Sequence, residues 1–164
     1  MFAVKSAFGA SKAEIYSELH SQAQALFEGE RDPIANAANL AALIFHTLPE
    51  LNWAGFYRLA GEELVLGPFH GKPACVRIAL GKGVCGTAAR ERRTIVVPDV
   101  DKFPGHIACD SASKSEIVVP LVMGGKTIGV LDLDSPKLAR FDAEDARALE
   151  AIVQAYMQAS DIGG

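Results

Sequence analysis

Segments whose apolar residues repeat with a period of two fill the middle of this 164-residue chain, and segments with a helical period lie at both ends. Period two is typical of β-strands, and an apolar sheet face is usually covered by packed helices. Short turn-like stretches between neighbouring strand segments favour antiparallel hairpins. The pattern therefore predicts an α+β fold, with a central antiparallel β-sheet flanked by N-terminal and C-terminal helices.

The helical segments at the two ends carry start and stop signals. Residues 11–48 form two amphipathic, alanine-rich segments, and the first opens with a capping box that starts at Ser11. The second begins with Asp32 as its cap and Pro33 in its first turn, where the missing N–H costs nothing. A further long helix is predicted near the C-terminus, over about 142–160.

The sheet and its connecting loops are predicted over about 53–135. The first hairpin turns at Ala60 and Gly61, and a second one turns at "GGK", residues 124–126. The predicted elements of this region are a short helix at 86–93 and strands at 53–59, 62–69, 74–80, 94–100, 116–123 and 127–134.

Length and composition narrow the function classes. The length fits one domain, here residues 1–164, that can bury a core without disulfide staples. A formal net charge of −4 gives no electrostatic support for a nucleic-acid surface. The first residues lack the apolar stretch of a secretory signal, and no later stretch approaches a membrane span. We therefore expect a soluble, cytoplasmic enzyme or binding module, with no nucleic-acid or membrane partner.

The three cysteines, Cys75, Cys85 and Cys109, are an odd number without C-x-x-C spacing. A disulfide scaffold is therefore not expected. In a reducing compartment such thiols are core residues, metal ligands or redox-active groups, and composition alone favours core residues. Cys109 is the exception that needs a reason, because it lies in a run of small polar residues typical of an exposed loop.

One glycine-rich stretch imitates a dinucleotide-binding site. Residues 81–86, "GKGVCG", match G-x-G-x-x-G after a strand, and Asp101 lies at the distance of the expected ribose-binding acid. A parallel crossover, however, needs a helix that spans the sheet, and only about two turns fit before the next strand. We interpret these glycines as a tight turn into a short helix and predict no cofactor.

Acidic residues interrupt the apolar pattern of the last strand. Side chains alternate along a strand, so Asp132 and Asp134 share one face with Ile128 and Val130. Any one of these acids alone would be ordinary at a solvated sheet end. Two on the face of an otherwise apolar strand predict that a cation or a proton relieves their repulsion.

The length of the second hairpin loop decides where Glu116 points. A two-residue loop, 124–125, would pair Glu116 with Leu133 and aim it away from the aspartates. A three-residue loop that includes Lys126 would place Glu116 opposite Asp134. Both registers are open from the sequence. We choose the three-residue loop, which predicts that all three carboxylates converge.

Two aromatic residues add to the candidate site. Trp53 and Tyr57 point to the same side of the first strand, together with Gly55, whose missing side chain leaves room. Such a pair suits a cation or a sulfur-bearing group, although ordinary core aromatics have the same spacing.

Several stretches of the chain match one family at once: "WAGFY", "LGPFHGKPACVRIALGKGVCGTAA", "VPDV", "FPGHIACDSASKSEIVVPL" and "GVLDLDS". They resemble the free methionine-R-sulfoxide reductases, enzymes built on a stand-alone GAF domain. The resemblance runs from about Trp53 to Asp145, with helices in order on either side. It implies a single GAF domain that reduces free, not protein-bound, methionine R-sulfoxide to methionine, with electrons finally supplied by thioredoxin.

The resemblance also implies roles for the thiols. Cys109 would attack the sulfoxide sulfur and become a sulfenic acid, and Cys75 would capture it as a disulfide. Cys85 is similar to a third family cysteine of variable role, so we assign it no required step. An exposed Cys109 would then be explained by its chemistry.

The same resemblance gives the other predicted site residues a function. The carboxylates of Glu116, Asp132 and Asp134 would hold the ammonium group of the substrate, and one of them, with a raised pKa, could donate a proton to the sulfoxide oxygen. Trp53 and Tyr57 would enclose the methyl-sulfur end. A homodimer is left open.

Two other functions are weighed against this one. A GAF domain can be a ligand sensor, for example of a cyclic nucleotide, but such a domain usually regulates an attached output domain, and none is expected in this chain. His106, three residues before Cys109, could join the three thiols in a zinc site, but without a C-x-x-C pair that signal is weak.

Overall fold

The structure is a computed structural model that describes residues 2–4 and 9–163. The opening segment, for which no secretory signal is expected, lies partly outside the described residues. The helices are α1 (Lys12–Phe27), α2 (Pro33–Thr47), α3 (Gly83–Glu91) and α4 (Ala143–Ala159). The strands are β1 (Trp53–Ala60), β2 (Glu63–Gly71), β3 (Arg77–Ala79), β4 (Ile95–Val97), β5 (Ser115–Met123) and β6 (Lys126–Ser135).

The strands form one antiparallel sheet in the order β3-β2-β1-β6-β5-β4. β1 and β6, the first and last strands in the sequence, pair with each other at the centre of the sheet. The predicted α+β fold with a central antiparallel sheet and flanking helices is therefore confirmed. In the described residues no parallel strand pair occurs, and α3 has only nine residues, so the dinucleotide-binding interpretation of 81–86 is rightly excluded.

The predicted helix starts are confirmed at the caps. The Ser11 side chain accepts from the backbone N–H of Glu14, and the Asp32 side chain accepts from the backbone N–H of Ala35. Asp142 caps α4 in a capping box with Asp145. These bonds satisfy N–H groups that a first helical turn leaves without a partner, so they fix each helix at the predicted residue.

Apolar side chains cover both faces of the sheet. On one face, α2 packs against β1 and β2, α4 packs against β5, and α1 packs on α2 and α4. Fully buried there are Leu19, Leu40, Leu131, Leu133 and Ile152. On the other face lie α3 and the long loops, in a smaller cluster that includes Val84, Val118 and Val130. Of the helices in the described residues, three therefore lie on one side of the sheet and only the short α3 lies on the other, which leaves room there for a pocket.

The second hairpin corrects the reasoning about its register. Its loop has two residues, Gly124 and Gly125, both with positive φ, and Met123 pairs with Lys126. The prediction of a three-residue loop is therefore wrong. Positive φ at two successive positions is the geometry of the tight hairpin turn that glycine favours.

A β-bulge nevertheless restores the register that the longer loop was meant to explain. Leu121 pairs with Gly129 while Val122 pairs with Thr127, so one residue of β6 is left out between them. Beyond this bulge Glu116 pairs with Asp134, as predicted. A bulge shifts the pairing by one residue, which has the same effect as one more residue in the loop.

The bulge also changes the side of the sheet on which Ile128 lies. Ile128 packs on the sheet face that α2 and α4 cover, together with Leu131 and Leu133. Strict alternation predicts it on the opposite face, beside Val130. Inserting one residue reverses the alternation for everything between the bulge and the turn. The aspartates lie beyond the bulge, so their shared face is unaffected.

Smaller differences concern element ends. The turn of the first hairpin consists of Gly61 and Glu62, because Ala60 still pairs with Glu63. The strand predicted over 74–80 is shortened to β3, and a short 3₁₀ turn, Val100–Lys102, follows β4. Among the described residues, no helix is both long enough and apolar enough to cross a lipid bilayer.

Candidate active site

A pocket lies on the sheet face that α3 covers. Its volume is about 40 Å³, so it has room for only a few water molecules in this form. The sheet contributes its floor, the first turn of α3 one wall, and the loop between the 3₁₀ turn and β5 its rim. The lining includes Trp53, Tyr57, Cys85, Cys109, Glu116, Asp132 and Asp134.

The three predicted carboxylates converge at the floor of this pocket. Glu116 on β5 is paired with Asp134 on β6, and Asp132 points to the same face two residues earlier. Glu116 and Asp132 are only 5% and 6% exposed, and Asp134 is half-buried. Burial at these positions is unusual for carboxyl groups, which normally stay in water unless something compensates their charge.

Burial and mutual repulsion hold protons on these carboxyl groups. Burial, aided by the nearby Asp134, raises the pKa of Glu116 to about 8. Burial and the neighbouring Glu116 raise the pKa of Asp132 well above its usual range, and burial and Asp132 do the same for the pKa of Asp134. The cluster therefore keeps at least one acidic proton near neutral pH.

Cys85 is the buried thiol of the site. It lies in the first turn of α3, is 4% exposed, and its Sγ donates to Glu116 Oε1 at 3.9 Å. Burial, then the charges of Asp132 and Glu116, raise its pKa well above the usual range. A buried neutral thiol is a poor nucleophile, so the environment suits a hydrogen-bond donor.

The other two cysteines are bonded to each other. Cys75 and Cys109 form a disulfide with their Cα atoms 5.8 Å apart, across 34 positions of sequence. Cys109 lies on an exposed loop, as the polar run around it predicts, while Cys75 is half-buried. The disulfide agrees with the pairing that the family resemblance implies. It also removes two ligands from the alternative zinc set, which is therefore not assembled in this form.

The aromatic pair lies where the pattern of β1 predicts. Trp53 and Tyr57 stack with their ring centroids 6.0 Å apart. The Tyr57 hydroxyl donates to the Cys75 carbonyl at 2.9 Å, which ties the β1 aromatic wall to the disulfide. Gly55 is needed between them, because a Cβ there would lie 2.6 Å from the Trp53 ring and would also collide with Phe69.

Two further groups lie close to the eight predicted site residues, and His106 was considered only for the alternative zinc site. His106 Nε2 lies 3.5 Å from Glu116 Oε2, on the loop that also carries Cys109. Asn52 Nδ2 donates to Asp110 Oδ2 and to Ser113 Oγ, at 3.1 and 3.0 Å, and so anchors this loop to the start of β1. His106 could have been found from its place three residues before Cys109, but the sequence gives no comparable signal for Asn52.

The geometry is therefore a cleft that combines a disulfide at its mouth, carboxyl groups that retain protons at its floor, and an aromatic wall. Comparisons with known proteins show the family to which a chain with this fold belongs. A model of the GAF domain matches residues 35–160. The free methionine-R-sulfoxide reductase of Escherichia coli K12 is 50% identical over 143 residues, which are 87% of this chain and 87% of that protein.

The chain belongs to the free methionine-R-sulfoxide reductase family. Solved structures of family members have the same fold over nearly the whole chain. The enzyme of Neisseria meningitidis in complex with its substrate is 44% identical, with a TM-score of 0.92, and the match covers 97% of this chain and 95% of that chain. The reduced form of the Staphylococcus aureus fRMsr is 55% identical, with a TM-score of 0.85 and coverage of 88% and 94%.

Membership of this reductase family agrees with the resemblance seen in the sequence and with the GAF fold. All eight predicted site residues occur at or next to one cleft: seven line it, and Cys75 is bonded to one of the seven.

Proposed function

We propose that this chain reduces free L-methionine (R)-S-oxide to L-methionine, with Cys109 as the nucleophile and Cys75 as the resolving thiol. The observation that carries the proposal is the Cys75–Cys109 disulfide at the mouth of a pocket floored by three converging carboxyl groups. The disulfide supports the reaction type, which is reduction of a sulfoxide by thiols. The three carboxyl groups support the choice of a free amino acid as the substrate.

The first step transfers one oxygen atom and two electrons. In the reduced enzyme the Cys109 sulfur attacks the sulfoxide sulfur, the S–O bond of the substrate breaks, and the oxygen ends on Cys109 as a sulfenic acid while methionine leaves. One sulfoxide and one thiol thus become one thioether and one sulfenic acid. The exposed position of Cys109 beside the pocket suits this attack.

The second step forms the disulfide. The Cys75 thiol displaces hydroxide from the Cys109 sulfenic acid, the hydroxide takes up a proton, and water leaves. The Cα separation of 5.8 Å allows this bond within the folded chain. A dithiol reductant then restores both thiols. We propose thioredoxin, because the exposed Cys109 sulfur is the half of the disulfide that a protein reductant could reach.

Glu116 is proposed as the acid that protonates the sulfoxide oxygen. With its pKa raised to about 8 by burial and by Asp134, it is largely protonated at neutral pH, and a positioned acid near the operating pH is an effective proton donor. Cys85 is proposed to position Glu116 and not to react with the substrate, because its thiol donates a hydrogen bond to Glu116 Oε1 at 3.9 Å.

The free amino acid is recognised by the charges at its α-carbon. Its ammonium group would pair with Asp132 and Asp134, which repel each other without a cation. Its carboxylate would lie near the first turn of α3, where Gly83 and Val84 line the pocket and the free backbone N–H groups attract anions. Trp53 and Tyr57 would enclose the methyl-sulfur end.

A single-turnover assay with a matched pair of variants tests the proposal. Reduced, desalted enzyme is mixed with free methionine R-sulfoxide, and methionine is counted. Cys75→Ser is expected to release about one equivalent and then stop, because only the disulfide step is blocked, whereas Cys109→Ser should release none. A ligand-sensing GAF domain would make no methionine at all.

Methionine formation by Cys109→Ser at the wild-type level would contradict the assignment of the nucleophile. Trapping the Cys75→Ser product with a sulfenic-acid reagent, followed by peptide mass mapping, identifies the oxidised sulfur directly. The cytoplasm is proposed as the location of the enzyme, and a homodimer is left open.

A further inference from the structure

Three different metal-ligating groups face one another at the floor of the pocket. The Cys85 sulfur, one oxygen of Glu116 and one oxygen of Asp132 all lie within 4.8 Å of one another, and all three side chains are buried. The sulfur is 3.9 Å from Glu116 Oε1. Two ligands on one tetrahedral Zn²⁺ are about 3.6 Å apart when one is sulfur and the other is oxygen, so the Cys85 and Glu116 atoms are already close to the required spacing.

A second observation points to a ligand at the same place. The Oδ1 atom of Asp132 is fully buried and has no hydrogen-bond partner. The residue as a whole is only 6% exposed. A buried carboxylate oxygen without a partner is costly unless a cation or a proton approaches it. His106 Nε2, 3.5 Å from Glu116 Oε2, is a further donor at the same site.

We propose that Cys85, Glu116 and Asp132 form a binding site for a thiophilic divalent cation, with Zn²⁺ as the expected ion. The ligand set decides the chemical class. One thiolate and two carboxylates, with imidazole or water in the fourth position, are typical of tetrahedral Zn²⁺, whereas Mg²⁺ and Ca²⁺ require more oxygen ligands and exclude sulfur.

Charge also favours a dication here. The side chains of Cys85, Glu116, Asp132 and Asp134 line one pocket, and together they carry up to four negative charges when ionised. A divalent cation bound by three of these groups would offset part of that charge. The ion would enter through the mouth of the pocket, which the exposed residues Lys82 and Ile107 line.

The site goes beyond the proposed function, because binding needs no turnover and no step of the proposed reaction uses Zn²⁺. Its consequence for activity does rest on the proposed function. A Zn²⁺ ion there would occupy the carboxyl groups that protonate the sulfoxide and hold the ammonium, and so would inhibit the enzyme. A binding test on the disulfide form keeps the two claims separate.

Cobalt spectroscopy of the disulfide form is the sharpest test. Two of the three cysteines are then bonded to each other, and Cys85 is the one thiol that remains. Co²⁺ is added without reductant or chelator. A sulfur-to-cobalt charge-transfer band, together with the intense visible bands of a tetrahedral ion, is expected to saturate at one ion per chain and to disappear when Zn²⁺ is added.

Variants locate the ion. Cys85→Ser is expected to lose the charge-transfer band and at least about 100-fold of the Zn²⁺ affinity, since even partners of metal ligands account for 10–100-fold. His46→Gln is the matched control, because His46 and His70 form an imidazole pair elsewhere, with ring centroids 4.8 Å apart. This control should leave the band and the affinity unchanged.

The proposal is overturned if the wild-type disulfide form shows no charge-transfer band, if Cys85→Ser binds Zn²⁺ as tightly as the wild type, or if His46→Gln abolishes binding. The wild-type band alone decides the matter if Cys85→Ser fails to fold.

Discussion

Replacing Glu116 by glutamine should change how the stability of the fold depends on pH. The ordinary pKa of a glutamate is 4.5, and in the folded chain burial and the nearby Asp134 raise the pKa of Glu116 to about 8. The folded state therefore binds this proton more tightly than the unfolded state does. The resulting stabilisation is complete below about pH 4.5 and is lost as the pH rises to about 8.

The magnitude follows from the difference in proton affinity. Each tenfold difference is about 1.4 kcal/mol, so a change from 4.5 to about 8 corresponds to about 5 kcal/mol over the whole titration. Glutamine has the same shape and no proton to lose. The free energy of unfolding of the wild type minus that of Glu116→Gln is therefore expected to fall by several kcal/mol between about pH 4 and about pH 8.

Urea unfolding of the disulfide form at a series of pH values measures this difference. Subtracting the variant cancels the titration of groups that behave alike in both proteins. Glu62→Gln, at an exposed position in the turn between β1 and β2, is the control and should give a nearly flat difference. A difference for Glu116→Gln that is flat, or that rises with pH, would refute the reasoning about the buried acids.

Three further predictions concern the thiols, the acids and the substrate. Reducing the Cys75–Cys109 bond, which spans 34 positions, should lower the free energy of unfolding by about 4 kcal/mol in urea titrations, and an unchanged midpoint would argue against the bond. Asp134→Asn should raise KM more than it lowers kcat, and Glu116→Gln should do the opposite, so steady-state kinetics with the reverse pattern would exchange their roles. Methionine sulfoxide within a peptide lacks the ammonium group and should show kcat/KM at least about tenfold lower than the free amino acid, and equal values would contradict recognition by the acids.

The elements of the fold were predictable because their signals are local. Capping residues such as Ser11 and Asp32 place the helix starts, and the alternation along β1 correctly puts Trp53 and Tyr57 on one face. The motif content of the loops was enough to indicate the family. These features depend on a few neighbouring residues, so one sequence contains what is needed to interpret them.

The register of the acids was predicted correctly for a wrong reason. The loop holds two glycines, and a bulge at Ile128 supplies the shift that an additional loop residue would have given. The packing on both faces of the sheet decides whether a bulge forms. With the bulge in place, Ile128 packs against the core between the sheet and helices α2 and α4. Local sequence does not distinguish the two solutions, since both leave the strand pattern beyond them unchanged.

Contacts across the pocket were beyond the sequence for a different reason. Cys85 lies 31 positions before Glu116, and only the packing of α3 on β5 and β6 brings its sulfur to that carboxylate. The same holds for His106 beside Glu116 and for Asn52 beneath Asp110. Such pairs arise from tertiary structure, so no spacing rule predicts them.

The central claim is that Cys109 takes the oxygen of free methionine R-sulfoxide and passes the oxidation to Cys75. The most direct measurement is a single turnover of reduced wild-type enzyme, freed of reductant and mixed separately with the R and the S epimer of the free amino acid. We predict about one methionine per enzyme from the R epimer, none from the S epimer, and a Cys75–Cys109 disulfide in the product. No methionine from the R epimer, or equal amounts from both, would contradict the account.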